Sequence, residues 1–449
     1  MRLPNRFRRG DRALTRGLAV LVALLALALG AAPAAGVKGG PDLAAHAPVA
    51  REGTPAASKR ALTLSQLRTR LAEAMRKAGG DSGAWVYDLD ADSDPVLFAD
   101  DARTRLIPAS NQKLFTTAAF LAQFGADGRL KTRAYARGKL AGPDGSVLKG
   151  DIVIVGDGDP AFGTARFARS NAQPVTRVAD LATDIAQAGV KRIKGRILAD
   201  DTIFDRVRRA GPYLSPLSGL SFNNGYKDGD RYARAPELEA ARALKNALRK
   251  RGVKVRGRVG RVNLPKRVLK REPIGEVDSP DVATLIEETN VPSNNFFAEM
   301  LLKRLGAVGG KRGTRKRGAR RVEAFAAKVA AGVQASDGSG LSRRNRATPE
   351  QVGKLLVAMA ERERDADAFR DSLAIAGREG TLAYRMRGTA AQDNCAGKTG
   401  TLSGVSALSG YCEAGGHTIA FAILMNGVNT NTARNAQDEF AAALARYRP

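Results

Sequence analysis

The 449-residue sequence has only two histidines, His46 and His417, and this scarcity limits the chemistry that the chain can perform. His46 lies in an N-terminal stretch rich in Ala, Pro and Gly, which we expect to be a flexible linker. A triad of serine, histidine and aspartate, or a zinc site built from histidines, would therefore depend on His417 alone. A serine enzyme in this chain needs a base other than histidine, and the sequence predicts neither a metal site nor a cofactor.

Long hydrophobic runs are absent after residue 35, so no later segment is expected to cross a membrane. Before it, six arginines precede the apolar run 18–29, which ends in the small residues Gly-Ala-Ala-Pro-Ala. This pattern is typical of an export signal over residues 1–34 that is cleaved near Ala34. An uncleaved anchor is the alternative, although the run is short for a bilayer span. We therefore expect a flexible linker over 35–60 and an extracytoplasmic protein, in the cell wall or at the outer face of the cytoplasmic membrane.

Acidic residues are too few to balance the basic ones, and the net charge is +28. The export signal contributes six arginines and one aspartate, which leaves +23 for the rest of the chain. For an exported protein this excess favours an anionic wall polymer or membrane surface as a partner. A recognition helix, zinc-finger spacing and aromatic RNA-binding motifs are all missing, so no nucleic-acid partner is expected. An arginine-rich genome would give the same excess without any partner.

The pattern of apolar residues predicts an α/β fold of the α+β kind. A helix is expected over 63–78, followed by two strands around 84–87 and 96–99, and the C-terminal end returns to strands over 395–401, 405–412 and 417–425 before a closing helix. We expect both ends to build one antiparallel sheet flanked by helices. The catalytic domain would then comprise 61–130 and 266–449, and 131–265 would form an inserted, smaller α+β domain.

Ser110 and Lys113 form a Ser-x-x-Lys motif at the predicted start of a helix, where Pro108 precedes an apolar-faced run. Spacing of three residues places both side chains on one helical face. A buried lysine loses its charge readily and can act as base to a serine. The motif is weak alone, because a second copy, Ser146 to Lys149, lies in a glycine-rich turn.

Two further motifs follow in order. Ser293-Asn294-Asn295 places a hydroxyl and a carboxamide at a helix start, where a simple helix cap is the alternative. Lys398-Thr399-Gly400-Thr401 lies on a predicted strand, and its glycine allows an extended peptide to approach closely. The order of the three motifs behind an export signal is much harder to obtain by chance than any one of them.

Together these motifs resemble the active-site serine penicillin-binding proteins and β-lactamases, and more narrowly the class C low-molecular-mass penicillin-binding proteins, the D-alanyl-D-alanine carboxypeptidase/endopeptidase family. The narrower resemblance rests on Gly158-Asp159-Pro160, on Asp337-Gly338-Ser339-Gly340-Leu341-Ser342, on Gly380-Thr381-Leu382 with Arg385, and on the large insert. It covers the chain from about Leu62 to the C-terminus. The insert is shorter than in the larger family members, so one accessory domain is expected to be missing or reduced.

The resemblance implies a penicillin-binding protein/serine β-lactamase-like transpeptidase fold, peptidoglycan stem peptides as substrate and β-lactams as covalent inhibitors. Ser110 would attack the D-Ala-D-Ala peptide bond and Lys113 would take its proton. Ser293 would pass a proton to the leaving amine, and Asn295 would hold the substrate's peptide group. Lys398 and Thr399 would bind the terminal carboxylate, while the amides of Ser110 and Thr401 would form the oxyanion hole beside Gly400.

The family also implies that Asp159 and Arg385 bind the ionised end of the substrate's diaminopimelate side chain. A loop with two solvated carboxylates is the alternative for Asp159. Contacts after the Lys-Thr-Gly motif do not carry over, because Leu402 and Ser403 stand there. A β-lactamase and a catalytically silent wall-binding protein remain alternatives to the peptidase.

Cysteine is as rare as histidine, and Cys395 and Cys412 fit an oxidising compartment. If the strands on either side of Ser403-Gly404 form a hairpin, the two cysteines face each other across it. This geometry predicts a disulfide that holds the strand of Lys398 in place; the alternative is two unrelated thiols.

Overall fold

The computed structural model describes residues 60–209, 214–228 and 231–449. The expected export signal and the linker up to residue 59 lie outside these residues. None of the helices in these residues combines the length and the hydrophobicity of a membrane span.

Strands occur throughout the described residues: β1 Asp81–Asp88, β2 Val96–Asp100, β3 Lys131–Ala141, β4 Val147–Val155, β5 Phe162–Gly163, β6 Thr176–Arg177, β7 Arg192–Ile193, β8 Ile197–Asp200, β9 Tyr226–Asp228, β10 Arg231–Tyr232, β11 Lys254–Val255, β12 Val259–Arg261, β13 Gly275–Asp278, β14 Ala374–Ile375, β15 Cys395–Leu402, β16 Val405–Ala414 and β17 His417–Asn426. The α-helices are α1 Leu64–Ala78, α2 Gln112–Phe124, α3 Ala165–Ser170, α4 Val178–Gln187, α5 Pro236–Lys250, α6 Lys266–Leu269, α7 Val282–Asn290, α8 Asn295–Leu305, α9 Arg315–Lys328, α10 Pro349–Ala360, α11 Ala366–Asp371 and α12 Thr430–Leu444. In the same residues, short 3₁₀ turns lie at Ala109–Asn111, Asn223–Gly225 and Gly380–Leu382.

The two ends of the chain build one antiparallel sheet, as the sequence predicts. Its six strands lie in the order β14, β15, β16, β17, β1, β2. β1 pairs with β17 from Asp81 opposite Asn426 to Asp88 opposite Ile419. The predicted hairpin of β15 and β16 is present, and it ends at the pair Leu402 and Val405. The expected antiparallel sheet with flanking helices is confirmed.

Alternation of side chains along β1 divides the residues of this strand between two helical layers. Ala84 and Val86 are fully buried in one hydrophobic cluster with residues of α1 and α12, among them Phe440. Trp85 faces the other side, where it packs against Gly353 of α10; a Cβ on this glycine would come within 2.0 Å of the indole ring. The sheet is therefore covered on both faces.

A second sheet lies in the inserted part of the chain. Its strands follow the order β11, β7, β4, β3, β13, while β8 pairs with β4 and β12 pairs with β8. Residues of α4 and α5, such as Leu181 and Leu244, fill its core together with Ile152. β13 pairs with β3, so this sheet extends past residue 265, where the sequence predicts that the insert ends. The division into two domains remains a prediction.

The second Ser-x-x-Lys motif lies in the hairpin of β3 and β4. β4 begins at Val147, so Ser146 and Lys149 are three positions apart on extended chain and their side chains point to opposite faces. Ser146 is buried and Lys149 is exposed. Strand geometry therefore keeps this serine and lysine from acting as a pair.

Candidate active site

Ser110 is presented by the 3₁₀ turn Ala109–Asn111, which leads directly into α2. The sequence predicts Ser110 at the start of a helix, and this turn is how the helix begins. Ala109 has a φ of 46°, in the left-handed region that is uncommon for residues other than glycine. Gly340 packs against it, because a Cβ on Gly340 would lie 1.9 Å from the Ala109 carbonyl oxygen. The loop 337–342 thus supports the turn that carries Ser110.

Lys113 is fully buried and its Nζ contacts three oxygen atoms. These are Ser110 Oγ at 2.9 Å, Asn295 Oδ1 at 2.7 Å and the Ser339 carbonyl oxygen at 2.6 Å. The two carbonyl-type oxygens can only accept, so a neutral amine spends both N–H groups on them. Its lone pair is then left to accept the hydroxyl proton of Ser110.

The surroundings of Lys113 favour this neutral form. Burial lowers the pKa of Lys113 from 10.5 to about 7, while the carboxylates of Asp337 and Glu299 oppose the change. A base whose pKa lies near neutrality accepts and returns a proton efficiently.

Glu299 organises the loop that contacts Lys113. It lies on α8, one helical turn after Asn295, and it is fully buried. Its Oε1 accepts hydrogen bonds from the backbone N–H groups of Gly338 and Ser339, both at 2.9 Å. Burial and, to a smaller extent, the charge of Asp337 raise the pKa of Glu299 to about 7, while the hydrogen bonds from Ser339 and Gly338 oppose the change. The carboxyl of Glu299 thereby fixes the carbonyl of Ser339 that accepts from the lysine.

The motif Ser293-Asn294-Asn295 crosses from a turn into α8. Asn294 is the helix cap, since its side chain accepts from the N–H of Phe297 at 3.2 Å. Ser293 is therefore not needed as a cap, and its backbone lies at a φ of 61°. Asn295 reaches Lys113, as described above, and this contact joins the second motif to the first.

The strand β15 brings the third motif to the same place. A Cβ on Gly400 would lie 3.1 Å from the backbone nitrogen of Ser110, so the strand passes close to the nucleophile. The Thr399 hydroxyl bonds to the Thr381 hydroxyl at 2.8 Å, and Arg434 donates to the Thr401 hydroxyl at 3.3 Å. The strand and the nucleophile turn thus form one wall of the site.

Lys398 is the second fully buried lysine of the site. Its Nζ donates to the carbonyl oxygen of Thr399 at 3.1 Å. Burial lowers the pKa of Lys398 well below its usual value, and the neighbouring Lys113 lowers it further. Among the residues that the structure describes, no carboxylate forms an ion pair with Lys398, so a negatively charged group that reached this lysine would stabilise its charged form.

Asp159 and Arg385 are each bonded within the protein. Asp159 is buried in the insert, where its carboxylate accepts from the Thr176 hydroxyl at 2.5 Å and from the N–H of Ala161 at 2.8 Å. Burial raises the pKa of Asp159 to about 7, which these hydrogen bonds oppose. Arg385 forms an ion pair with Asp438 on α12 at 2.7 Å. Both carboxylate oxygens of Asp159 accept hydrogen bonds within the insert, and the expected roles of Asp159 and Arg385 in substrate binding remain predictions.

Cys395 and Cys412 form the predicted disulfide. They lie directly opposite each other on β15 and β16, and both are buried. Lys398 lies three residues after Cys395, so the bond ties the start of the motif's strand to its neighbour.

Sequence analysis assigned no role to three contributors to the site. Glu299 has a weak sequence signal, because it stands one helical turn after Asn295. Asn111 donates to Ser409 on β16 at 2.6 Å and so ties the nucleophile turn to the sheet. Asp337 holds its loop by accepting from the N–H groups of Gly340 and Ser342. The motif 337–342 supported the family resemblance, but its role in holding Lys113 emerges only from the fold.

Fold and site together define an active-site serine enzyme with a penicillin-binding fold. The model of the D-Ala-D-Ala carboxypeptidase 3 (S13) family matches residues 65–216 and 219–447, and the chain belongs to this family of serine-type carboxypeptidases. The resemblance predicted from the motifs is therefore confirmed.

Curated relatives and solved structures agree. The chain is 30% identical to a D-alanyl-D-alanine carboxypeptidase of Actinomadura sp. (strain R39), with 82% of each chain covered. It is 27% identical to carboxypeptidase DacB of Mycolicibacterium smegmatis, with 98% of each covered. Penicillin binding protein 4 of Haemophilus influenzae has the same fold, with a TM-score of 0.68 and 20% identity over 83% of this chain and 97% of that one.

Proposed function

We propose that the enzyme cleaves the D-Ala-D-Ala bond of peptidoglycan stem peptides through an acyl-enzyme on Ser110. The contact between Lys113 Nζ and Ser110 Oγ, with both amine hydrogens engaged elsewhere, is the observation that carries this proposal. Ser110 Oγ attacks the carbonyl carbon and its proton passes to Lys113 Nζ. The backbone N–H groups of Ser110 and Thr401 hold the oxyanion that forms.

Collapse of this intermediate breaks the C–N bond. The leaving amine of D-alanine takes a proton from Ser293 Oγ, which is resupplied from the lysine ammonium. Water then attacks the ester carbon and its proton passes to Lys113. The lysine ammonium returns this proton to Ser110 Oγ as the ester C–O bond breaks, which releases the product acid and restores the free serine. Each proton transfer involves Lys113 or Ser293, and the protons balance over the cycle.

Recognition of the substrate would use Lys398, which has no carboxylate partner among the described residues. The terminal carboxylate binds to Lys398 and to the hydroxyl of Thr399, and Gly400 leaves room for the extended peptide beside β15. Asn295 holds the peptide group of the substrate with its amide NH₂, because its oxygen already faces Lys113.

By their positions in the family's motifs, Asp159 and Arg385 bind the ionised end of the substrate's diaminopimelate side chain. Both residues have partners inside the protein, so the substrate would have to compete with these bonds. Asp159→Asn and Arg385→Lys should then raise KM for a diaminopimelate peptide relative to a lysine-containing peptide. An equal effect on both peptides would assign the two residues to fold stability.

The same serine should react with β-lactams, since a β-lactam carbonyl presents the same group to Ser110 and leaves a slowly hydrolysed ester. A structure of the Haemophilus influenzae protein is described as complexed with a β-lactam. A Bdellovibrio bacteriovorus protein with the same fold, at a TM-score of 0.51, is described as a predatory peptidoglycan endopeptidase. We propose that the present enzyme trims terminal D-alanine and also cleaves crosslinks, because both bonds end in the same D-alanyl carbonyl.

An extracytoplasmic location is part of this proposal. The export signal predicted for residues 1–34 would place the enzyme beside its substrate, and the predicted disulfide is in place. The basic excess would hold it near an anionic wall polymer or the membrane surface.

Mass spectrometry of muropeptides after incubation with the enzyme tests the activity directly. Loss of D-alanine from monomers and conversion of crosslinked dimers to monomers are expected, and Ser110→Ala should abolish both. A stable penicilloyl adduct on Ser110 would support the peptidase, whereas rapid nitrocefin turnover would identify a β-lactamase. If the wild-type protein left the muropeptides unchanged, the result would favour a catalytically silent wall-binding protein.

A further inference from the structure

A cleft of about 710 Å³ lies beside the inserted sheet, and its lining shares no residue with the site around Ser110. Three segments form its walls: the loop 201–208, the end of β12 with the residues after it, and the segment around Arg312. The charged side chains of its lining are four arginines and one aspartate, namely Asp201, Arg206, Arg208, Arg261 and Arg312.

Backbone pairing holds the walls in a fixed relation. The N–H of Gly313 donates to the carbonyl of Ile203 at 2.7 Å, and the N–H of Asp205 donates to the carbonyl of Gly313 at 3.0 Å. Lys303 of α8 adds an ion pair to Asp205 at 2.6 Å. The cleft is therefore preformed, and little ordering is needed when a ligand enters it.

The carboxylates near the cleft are already used. Arg208 forms ion pairs with Asp201 at 2.7 Å and with the fully buried Glu237 at 2.6 Å, and Arg261 also contacts Glu237 at 2.6 Å. These bonds fix two guanidinium groups in the wall but do not neutralise the other two. Within the part of the chain that the structure describes, Arg206 and Arg312 are exposed and form no ion pair.

Two guanidinium groups without an ion pair among the described residues, beside two that carboxylates hold in the wall, suit oxyanions, because each available planar fork can donate two parallel hydrogen bonds to a phosphate. A volume of about 710 Å³ lies in the range of whole ligand sites and exceeds what a single phosphate fills. The site is also concave, which suits a flexible chain that enters it better than the flat face of a bilayer. A polymer with one phosphate per repeat could offer successive anions to successive arginines.

We propose that this cleft binds the phosphate groups of a flexible phosphodiester polymer. The proposal deepens the anionic partner proposed above and is independent of the chemistry at Ser110. Binding there would hold the enzyme on its wall substrate while the active site stays free.

Isothermal titration of the full chain with glycerol phosphate oligomers of defined length tests the site. The cleft variant Arg206→Glu with Arg312→Glu should bind at least about tenfold more weakly, because two charge-assisted contacts become repulsive. The matched control is Lys316→Glu with Arg320→Glu, which makes the same charge change on exposed positions of α9 outside the cleft. This control should lose less than about twofold.

Release of D-alanine from a soluble peptide should be unchanged in both variants, which shows that they fold and separates this test from the proposed catalytic function. Polyglutamate, inorganic phosphate and vesicles containing phosphatidylglycerol serve as comparison ligands. Equal losses in the two variants would assign binding to diffuse surface charge and overturn the proposal. So would equal affinity for polyglutamate, binding to vesicles alone, or no binding of the oligomers by the wild type.

Discussion

Acylation of Ser110 should depend on pH through two buried lysines that act in opposite directions. Lys113 must be neutral to take the serine proton. With a pKa of about 7, its neutral share is about 1% at pH 5, about 10% at pH 6 and about half at pH 7. The acylation rate should therefore rise about tenfold from pH 5 to pH 6 and flatten above pH 7. A lysine with its ordinary pKa of 10.5 would instead give a rise of about tenfold per pH unit up to pH 9.

Lys398 should make acylation slower at high pH, because this lysine must be charged to bind the carboxylate of the ligand. Burial and the neighbouring Lys113 lower its pKa, so its charge is lost at a lower pH than for an exposed lysine. The second-order rate constant for acylation should therefore fall again on the alkaline side. Lys398→Arg keeps a permanent cation, and this variant should lose the falling limb while it retains the rising limb.

A fluorescent penicillin measures both limbs, with the acyl-enzyme followed by stopped flow between pH 5 and pH 10. The rate constant at saturating ligand reports on Lys113, and its ratio to the apparent dissociation constant also reports on Lys398. Ser110→Ala gives the background. A log-linear rise to pH 9 in the wild type would show that Lys113 carries an ordinary charge and would refute its role as the neutral base. If the rising limb disappeared in Lys398→Arg, that limb would report on Lys398 and not on Lys113.

Three further changes test the parts around this pair. Glu299→Gln keeps an oxygen for the loop amides but removes a charge that raises the pKa of Lys113. The rising limb should therefore move to lower pH in the same assay. A limb at the wild-type pH would contradict this coupling. Replacing Cys395 and Cys412 by alanine should lower the free energy of unfolding in urea by about 3 kcal/mol, the value typical of a loop of this length, and a change below about 1 kcal/mol would argue against it. Gly340→Ala should slow acylation at least about tenfold with little effect on the far-UV spectrum, because the new methyl group displaces the turn of Ser110; wild-type rates would show that the turn tolerates displacement.

Local sequence patterns predict the central sheet well. The apolar run Ala84–Tyr87 and the segment from Cys395 to Cys412 identify strands, and the hairpin at Ser403-Gly404 follows from turn residues. This register is enough to predict the disulfide, because opposite positions on a hairpin are fixed by the turn. The three motifs likewise identify the residues that meet around Lys113, since their order is characteristic of one fold.

The remaining parts of the site have no such pattern. The Ser339 carbonyl that accepts from Lys113 is a backbone group, and any residue type could supply it. Glu299 has the sequence context of an ordinary helical glutamate, and only tertiary packing removes it from water. The loop of Asp159 shows the converse case, in which a motif is present but the fold adds contacts that the motif does not predict. The motif predicts a contact with substrate, whereas the folded protein provides hydrogen-bond donors to this carboxylate within the insert.

The two buried lysines need different protonation states, and their proximity helps to establish that difference. A charge on one lysine disfavours a charge on the other, and this coupling lowers the pKa of Lys398. Only Lys113 has acceptors that fully occupy a neutral amine, together with a hydroxyl directed at the lone pair. When the substrate carboxylate reaches Lys398, it stabilises the charge on that lysine, whereas burial keeps the pKa of Lys113 at about 7. The carboxylate therefore acts on binding and Lys113 acts on acylation, so a ligand without the carboxylate should bind more weakly but be acylated at a similar rate at saturation.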